Sequence, residues 1–194
     1  MAAKRKITKK LDKKKKKKWF SIFAPRNFGG AELGESHVVT PQNLIGKVIR
    51  VNLSKISKIR SQNIRIKFEV TEVKDEKGFT EPISYELLST QINRIARKNK
   101  SKLDASLELE TKDNQKIRIK PIIITRGIIK GGTYTTLKTE AISILEKEIK
   151  KLTFDSLLDS IIRYDLQKSL KAKLKIVTPI NTIEIKQLNK IKAK

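Results

Sequence analysis

The sequence predicts a mixed α+β fold: mostly antiparallel strands, surrounding helices and a disordered basic N-terminal extension. Three observations predict it. The stretch "NIRIKFEVTEV" alternates, with Ile64, Ile66, Phe68 and Val70, joined after a step of three by Val73, on one face and Arg65, Lys67, Glu69 and Thr71 on the other. That period of two marks a strand with one wet face. Apolar residues return at helical spacing after residue 133, in "YTTLKTEAISILEKEIKKL". Ahead of both, residues 1–18 hold eleven Lys or Arg and one Asp, with six lysines in a row from Lys13 to Lys18. Such a run repels itself and has no apolar face to bury, so it is expected to be disordered when free.

The elements follow in order. "WFSIF" (19–23) reads as an aromatic strand, "SHVVT" (36–40) as a strand stopped by Pro41, and "GKVIRVNL" (46–53) as a half-buried strand. After "NIRIKFEVTEV", "KDEKG" (74–78) reads as a turn. "SYELLSTQINRIARKNK" (84–100) is predicted to be a helix, with Leu87, Leu88, Ile92 and Ile95 on one side and Ser84 as its cap. Arg94, Arg97, Lys98 and Lys100 crowd its last turn, where they suit the negative end of the helix dipole. "LDASLELE" and "KIRIKPIIIT" flank the polar turn "TKDNQ" as a hairpin. Ile117, Ile119 and Ile122 or Ile123 are expected inside, with Arg118 and Lys120 outside.

"RGIIKGGTYTT" (126–136) is a glycine-rich loop. Beyond it come a helix with Leu137, Ile142, Leu145 and Ile149 on one face, and two shorter helices, "TFDSLLDSIIRY" capped by Thr153 and "DLQKSLKAKLKIV". Pro179 ends the helical run and "INTIEIKQL" is a closing strand. The expected organisation is a tail over 1–18, a β-rich core with one central helix over 19–132, and a helical segment with a closing strand over 133–194, packed on that core.

Charge narrows the function. The chain of 194 residues carries a net charge of +25, and removing the tail still leaves +15. A compact domain that positive repels itself unless it normally meets a polyanion. There is no cysteine, which excludes disulfides, thiolate catalysis and cysteine-based zinc sites. No apolar run approaches the roughly 20 residues that cross a membrane. No segment of signal-peptide length follows the N-terminal lysines, so the cytoplasm is the expected compartment.

The catalytic candidates are weak. His37 is the sole histidine and reads as an ordinary strand or loop residue. Asp155 and Asp159, four apart on a helix, read as a solvated face. "GIIKGGT" lacks the lysine that a nucleotide-hydrolysing loop needs directly after its last glycine. A Gly-Gly-Thr stretch opening a helix beside Arg126 and Lys130 suits a backbone phosphate of a nucleic acid instead. No cofactor, metal or small-molecule substrate is expected.

The phosphate-contact candidates are Lys13, Lys14, Lys15, Lys16, Lys17 and Lys18 in the tail, which can bind a polyanion by releasing its counterions. Arg65 with Lys67 and Arg118 with Lys120 stand on strand faces, Arg94, Arg97 and Lys98 at a helix end, and Arg126, Lys130 and Thr133 in the loop. Arg26, between Pro25 and Phe28, is expected to be held rigidly. Trp19, Phe20, Phe23 and Phe28 either anchor the tail by packing or stack on bases, and packing is the expectation.

The order "KKKKKKWFSIFAPRNFGGAELGES", "LIGKVIRVNLSKI" and "FEVTEV", then the central helix, the "SLELETKDNQKIRIKPIIIT" hairpin and Thr133–Tyr134 opening the next helix, resembles the archaeal and eukaryotic small-subunit ribosomal protein family called S-three-a-e, also S-one-e. The resemblance runs from about Lys13 to Leu188. The chain ends soon after its last strand, without the longer tail usual in eukaryotic members, which resembles the archaeal branch. The resemblance implies a β-barrel-like core and a non-enzymatic component of the small ribosomal subunit, in the cytoplasm. It implies binding to ribosomal RNA on the platform near the mRNA exit, with Trp19 and Tyr134 among the contacts. Neighbouring ribosomal proteins, and mRNA near the exit, are the further partners it raises. The alternative is a free-standing nucleic-acid binder, such as an RNA-processing or assembly factor. That class calls for a compact reader module, and none is found. A membrane-bound role for the lysine run would leave the +15 of the folded part unexplained.

Overall fold

The computed structural model describes residues 16–56 and 63–191. Lys13, Lys14 and Lys15 lie outside the described residues, as does nearly all of the tail expected to be disordered. Nine strands among the described residues form one sheet. They are β1 (Lys18–Phe23), β2 (Glu32–Val38), β3 (Val48–Asn52), β4 (Ile64–Lys74), β5 (Lys77–Leu87), β6 (Lys102–Asp104), β7 (Leu107–Glu110), β8 (Lys116–Thr125) and β9 (Ile180–Lys190). Five helices accompany them: α1 (Leu53–Ile56), α2 (Ser89–Ile95), α3 (Gly131–Ile149), α4 (Phe154–Ile162) and α5 (Asp165–Leu174).

The main path through the sheet runs β2-β1-β5-β9-β8-β6, with β3 and β4 on the other edge of β5 and β7 beside β8. Every pairing is antiparallel except β1 with β5. The expected barrel-like core is corrected here: the sheet is open. One edge of β5 is shared, its Gly78–Phe79 end by β1 and its Ser84–Glu86 end by β9. The sheet therefore forks at β5. No pairing among the described residues joins β2 or β3 to β6 or β7.

β4 forms as its alternation requires. Ile64, Ile66 and Phe68 are fully buried, while Arg65 is exposed. The turn to β5 needs only two residues, Asp75 at φ 49° and Glu76 at φ 58°. Two consecutive left-handed residues match the right-handed twist of the flanking strands. In β8, Pro121 has no N–H to donate, and it sits where the register with β9 shifts.

The helix expected over 84–100 is cut to seven residues, Ser89–Ile95. Ser84–Leu87 instead complete β5, pairing with β4 on one side and, at Ser84–Glu86, with β9 on the other. Ser84 caps nothing; its hydroxyl donates to Asn189 Oδ1 at 2.6 Å. The pairing with β9, about a hundred residues away, overrides a local spacing that suits a helix. "SHVVT" also shifts, since β2 runs from Glu32 and ends at Val38.

Helices α3, α4 and α5 pack against the sheet. The buried line of α3 is Leu137, Ala141, Leu145 and Ile149, with Ala141 taking the place expected for the half-buried Ile142. Thr153 caps α4 as expected, its hydroxyl accepting from the Ser156 N–H at 3.4 Å. Most of the core is one cluster that includes Phe68, Tyr85, Ile119, Leu145, Leu158, Leu170 and Leu188. A smaller one, with Phe20, Ile22, Val38, Leu44 and Val70, lies beneath β1 and β2.

Two buried polar atoms in the sheet, the Tyr85 hydroxyl and Glu184 Oε2, have no hydrogen-bond partner among the described residues. Desolvation pushes the Glu184 carboxyl up to about 7. Between its ordinary value and 7, the folded chain holds this proton more tightly than the unfolded chain does. The group's contribution to stability therefore falls as pH rises through that window and stays unfavourable above it. Glu184→Gln is expected to stabilise the protein at pH 8 by about 1–2 kcal/mol, allowing for partial screening. Urea melts at both pH values check this, and no gain is expected at pH 4.

Candidate nucleic-acid interface

The basic residues predicted to bind phosphate fall into three places. The first is the end of the sheet where β6 and β8 meet the start of α3. Beyond α2, Asn99 turns the chain back at φ 63°. Ser101 then ties the turn to the loop after β8. Its N–H donates to the Gly127 carbonyl at 3.3 Å, and its carbonyl accepts from the Thr125 N–H at 3.1 Å. Its hydroxyl accepts from the Ile129 N–H at 3.0 Å. These bonds join two segments that lie far apart in sequence. They tie the turn that carries Arg97, Lys98 and Lys100 to the loop that carries Arg126 and Lys130, and Arg94 lies on the preceding α2.

None of Arg94, Arg97, Lys98, Arg126 and Lys130 pairs with a carboxylate among the described residues. All five are exposed. Helix α3 opens at Gly131, directly after Lys130, and no side chain caps it. Gly131 and Gly132 are exposed, so their amides present partial positive charge beside the cations. Thr133 and Tyr134 are half-buried in that first turn, and Tyr134 packs against the core. Across the end of the β8–β9 pair, the Arg126 N–H donates to the Pro179 carbonyl at 3.0 Å, which brings the exposed Lys175 to the same end.

The second place is the outer face of the sheet. Directly opposed residues make a row across six strands: Arg50, Lys67, Ser84, Asn189, Arg118 and Glu108. A second row beside it holds Asn52, Arg65, Glu86, Gln187 and Lys120. Both rows are polar throughout. Several cations here are engaged, however. Arg65 Nε donates to Asn52 Oδ1 at 3.3 Å, and Lys67 Nζ lies 3.7 Å from Glu86 Oε2. Arg118 Nε donates to Glu108 Oε1 at 3.0 Å. The face is positive but partly neutralised, so it offers phosphate less than the first place does. Arg50 belongs to this row and is not among the predicted contacts, although its place in the alternation of "GKVIRVNL" marks it as outward-facing.

The third place is β1. Lys16 and Lys17 are exposed ahead of it, and Lys18 opens it with Nζ 3.9 Å from Glu76 Oε1. The aromatics divide. Phe20 and Phe28 are buried, as the packing expectation holds, and Phe28 meets Phe68 edge-on at 5.3 Å. Trp19 is 67% exposed and stacks on His37 at 4.7 Å across the β1–β2 pair. Arg26 is exposed in a short 3-10 turn just after β1.

Asp155 is exposed at the start of α4. Burial raises the Asp159 carboxyl and the nearby Arg163 opposes that shift. No group of three or more potential metal ligands occurs among the described residues, and no helix among them is long and apolar enough to cross a membrane.

Residues 5–194 match the model of the Ribosomal S3Ae family. The chain is similar to the small ribosomal subunit protein eS1 of Halorubrum lacusprofundi, 27% identical over 90% of this chain and 82% of that protein. It is similar to the eS1 of Desulfurococcus amylolyticus, 26% identical over 90% of this chain and 82% of that protein. It is also similar to the eS1 of Methanoculleus marisnigri, 22% identical over 95% of this chain and 94% of that protein. A match over nearly the whole length leads to one conclusion: the chain belongs to the Ribosomal S3Ae family.

Proposed function

We propose that this protein is a structural, non-enzymatic component of the small ribosomal subunit that binds ribosomal RNA and neighbouring ribosomal proteins. The single observation that carries the RNA contact is at the start of α3, where Arg126 and Lys130 lead into an uncapped helix N-terminus and Ser101 ties that loop to the turn carrying Arg97 and Lys98, none of the four pairing with a carboxylate among the described residues. Such a site holds phosphate through point charges and backbone amides, and it needs no particular base. The outer-face pair Arg65 and Lys67 adds a weaker contact. The tail Lys13–Lys18 adds charge that neutralises phosphates as RNA helices pack. Placement on the platform near the mRNA exit, with mRNA within reach, belongs to the same proposal, and membership of the family supports it.

Sedimentation of a native lysate in about 0.5 M salt tests it, because salt that high strips loosely held basic proteins. The chain is expected to remain with the small subunit in near-stoichiometric amount. Its release to the top fractions would favour a free-standing RNA binder. Removing residues 1–17, which leaves β1 whole, is expected to keep the domain folded while weakening RNA binding and flattening its salt slope. A filter-binding series from low to high salt reads that slope, and an unchanged slope would exclude the tail from phosphate contact.

A further inference from the structure

The outer face of the sheet changes character toward β1 and β2. A directly opposed row there reads Glu72, Phe79, Phe23 and Glu32 across β4, β5, β1 and β2. Phe79 is 40% exposed, and its ring lies 6.5 Å from that of Phe23. On the same face of β1, Ser21 stands opposite Glu35 and Trp19 opposite His37. Toward the middle of the sheet the next row pairs Glu69 with Glu81. In a chain of net charge +25, an exposed aromatic strip bordered by carboxylates is the reverse of the surface around it. Phosphate is repelled by it; a cation is drawn to it. The protein already places one there, since Lys77 Nζ stands 5.7 Å from the centre of the Phe23 ring.

We propose that this aromatic and acidic face of β1, β2 and β5 docks a lysine- and arginine-rich segment of another protein in the same particle. The inference rests on the ribosomal reading above and names the surface and chemistry of one protein contact. Charge complementarity selects the occupant. Guanidinium and ammonium groups pair with Glu32 and Glu35 at the rim, Glu72 being already held by Lys74 Nζ at 2.7 Å, and their aliphatic stems and planar heads cover Phe23, Phe79 and Trp19. The face thus lets a strongly basic protein sit beside other basic proteins without mutual repulsion, while its cation-rich end takes the RNA.

The test uses the full chain with p-benzoylphenylalanine at position 79, incorporated into small subunits purified in about 0.5 M salt. After irradiation, the expected adduct is a Lys- and Arg-rich segment of another ribosomal protein. Its yield is expected to fall about fivefold when Glu32→Gln and Glu35→Gln are combined. RNA binding by the isolated double variant is expected to be undiminished. An adduct with RNA, an adduct within this chain's own residues 1–15, or no adduct would each overturn the inference. Sedimentation of the same preparation reads the underlying function separately. A chain absent from the subunit fraction overturns that reading and the docking with it. A chain present there but joined to RNA overturns the docking alone.

Discussion

Alanine at Arg97, Lys98, Arg126 and Lys130 together is expected to weaken binding to ribosomal RNA by about a thousandfold near 0.1 M salt, with the salt slope reduced by about 3 to 4. The magnitude follows from counting. Each phosphate contact releases close to one counterion, and these four cations lack carboxylate partners among the described residues to compete for them. All four are exposed on hydrogen-bonded loops and none contributes to the core, so the fold should survive. Binding isotherms over a range of salt concentrations check both numbers. The corresponding change at Arg118 and Lys67, which are tied to Glu108 and Glu86, should move the slope far less. Equal losses at the two places would show that the end of the sheet is not the principal RNA contact.

The second large effect is on stability. Phe68→Ala is expected to cost about 3–5 kcal/mol and to lower the melting temperature by roughly 10 °C. Phe68 is fully buried in the main cluster, two residues along β4 from Val70 in the smaller one, and it holds the Phe28 ring edge-on. Removing it leaves a cavity that rigid strands on both sides of β4 cannot close. Calorimetry or a urea melt measures the loss. Ile142→Ala in α3, which removes a half-buried side chain beside the buried line, should cost well under half as much.

Elements whose instructions are local were legible in the sequence. β4 is an example: its alternation depends only on which of its own side chains meet water. The Thr153 cap and the β7–β8 hairpin are others, since a hydroxyl three residues from an amide, or a polar turn between two apolar runs, needs no distant partner. The candidate contacts were legible as residue types. Their ranking was not, because a cation is available to phosphate only where no carboxylate lies across the sheet. Arg97 and Arg118 look alike in the sequence. One ends on an exposed turn and the other is held by Glu108.

Ser84–Leu87 show why the remainder was hidden. Their spacing suits a helix, and a strand wins because β9 supplies hydrogen bonds and a buried contact from the far end of the chain. The same fork at β5 opens the sheet instead of closing a barrel. The two-sided outer face is equally non-local, since Glu72, Phe79, Phe23 and Glu32 come from four strands and acquire a common surface only by register.

By itself the sequence determined the strands with clear alternation, the three C-terminal helices, the surplus of positive charge and hence the class of partner, because periodicity and net charge are properties of the chain read in order. The tertiary structure alone decided that the sheet is open, which cations are unpaired, and where the acidic aromatic face lies. Those depend on which residues become neighbours across strands, and cross-strand pairing is a contact between segments too far apart for any local pattern to encode.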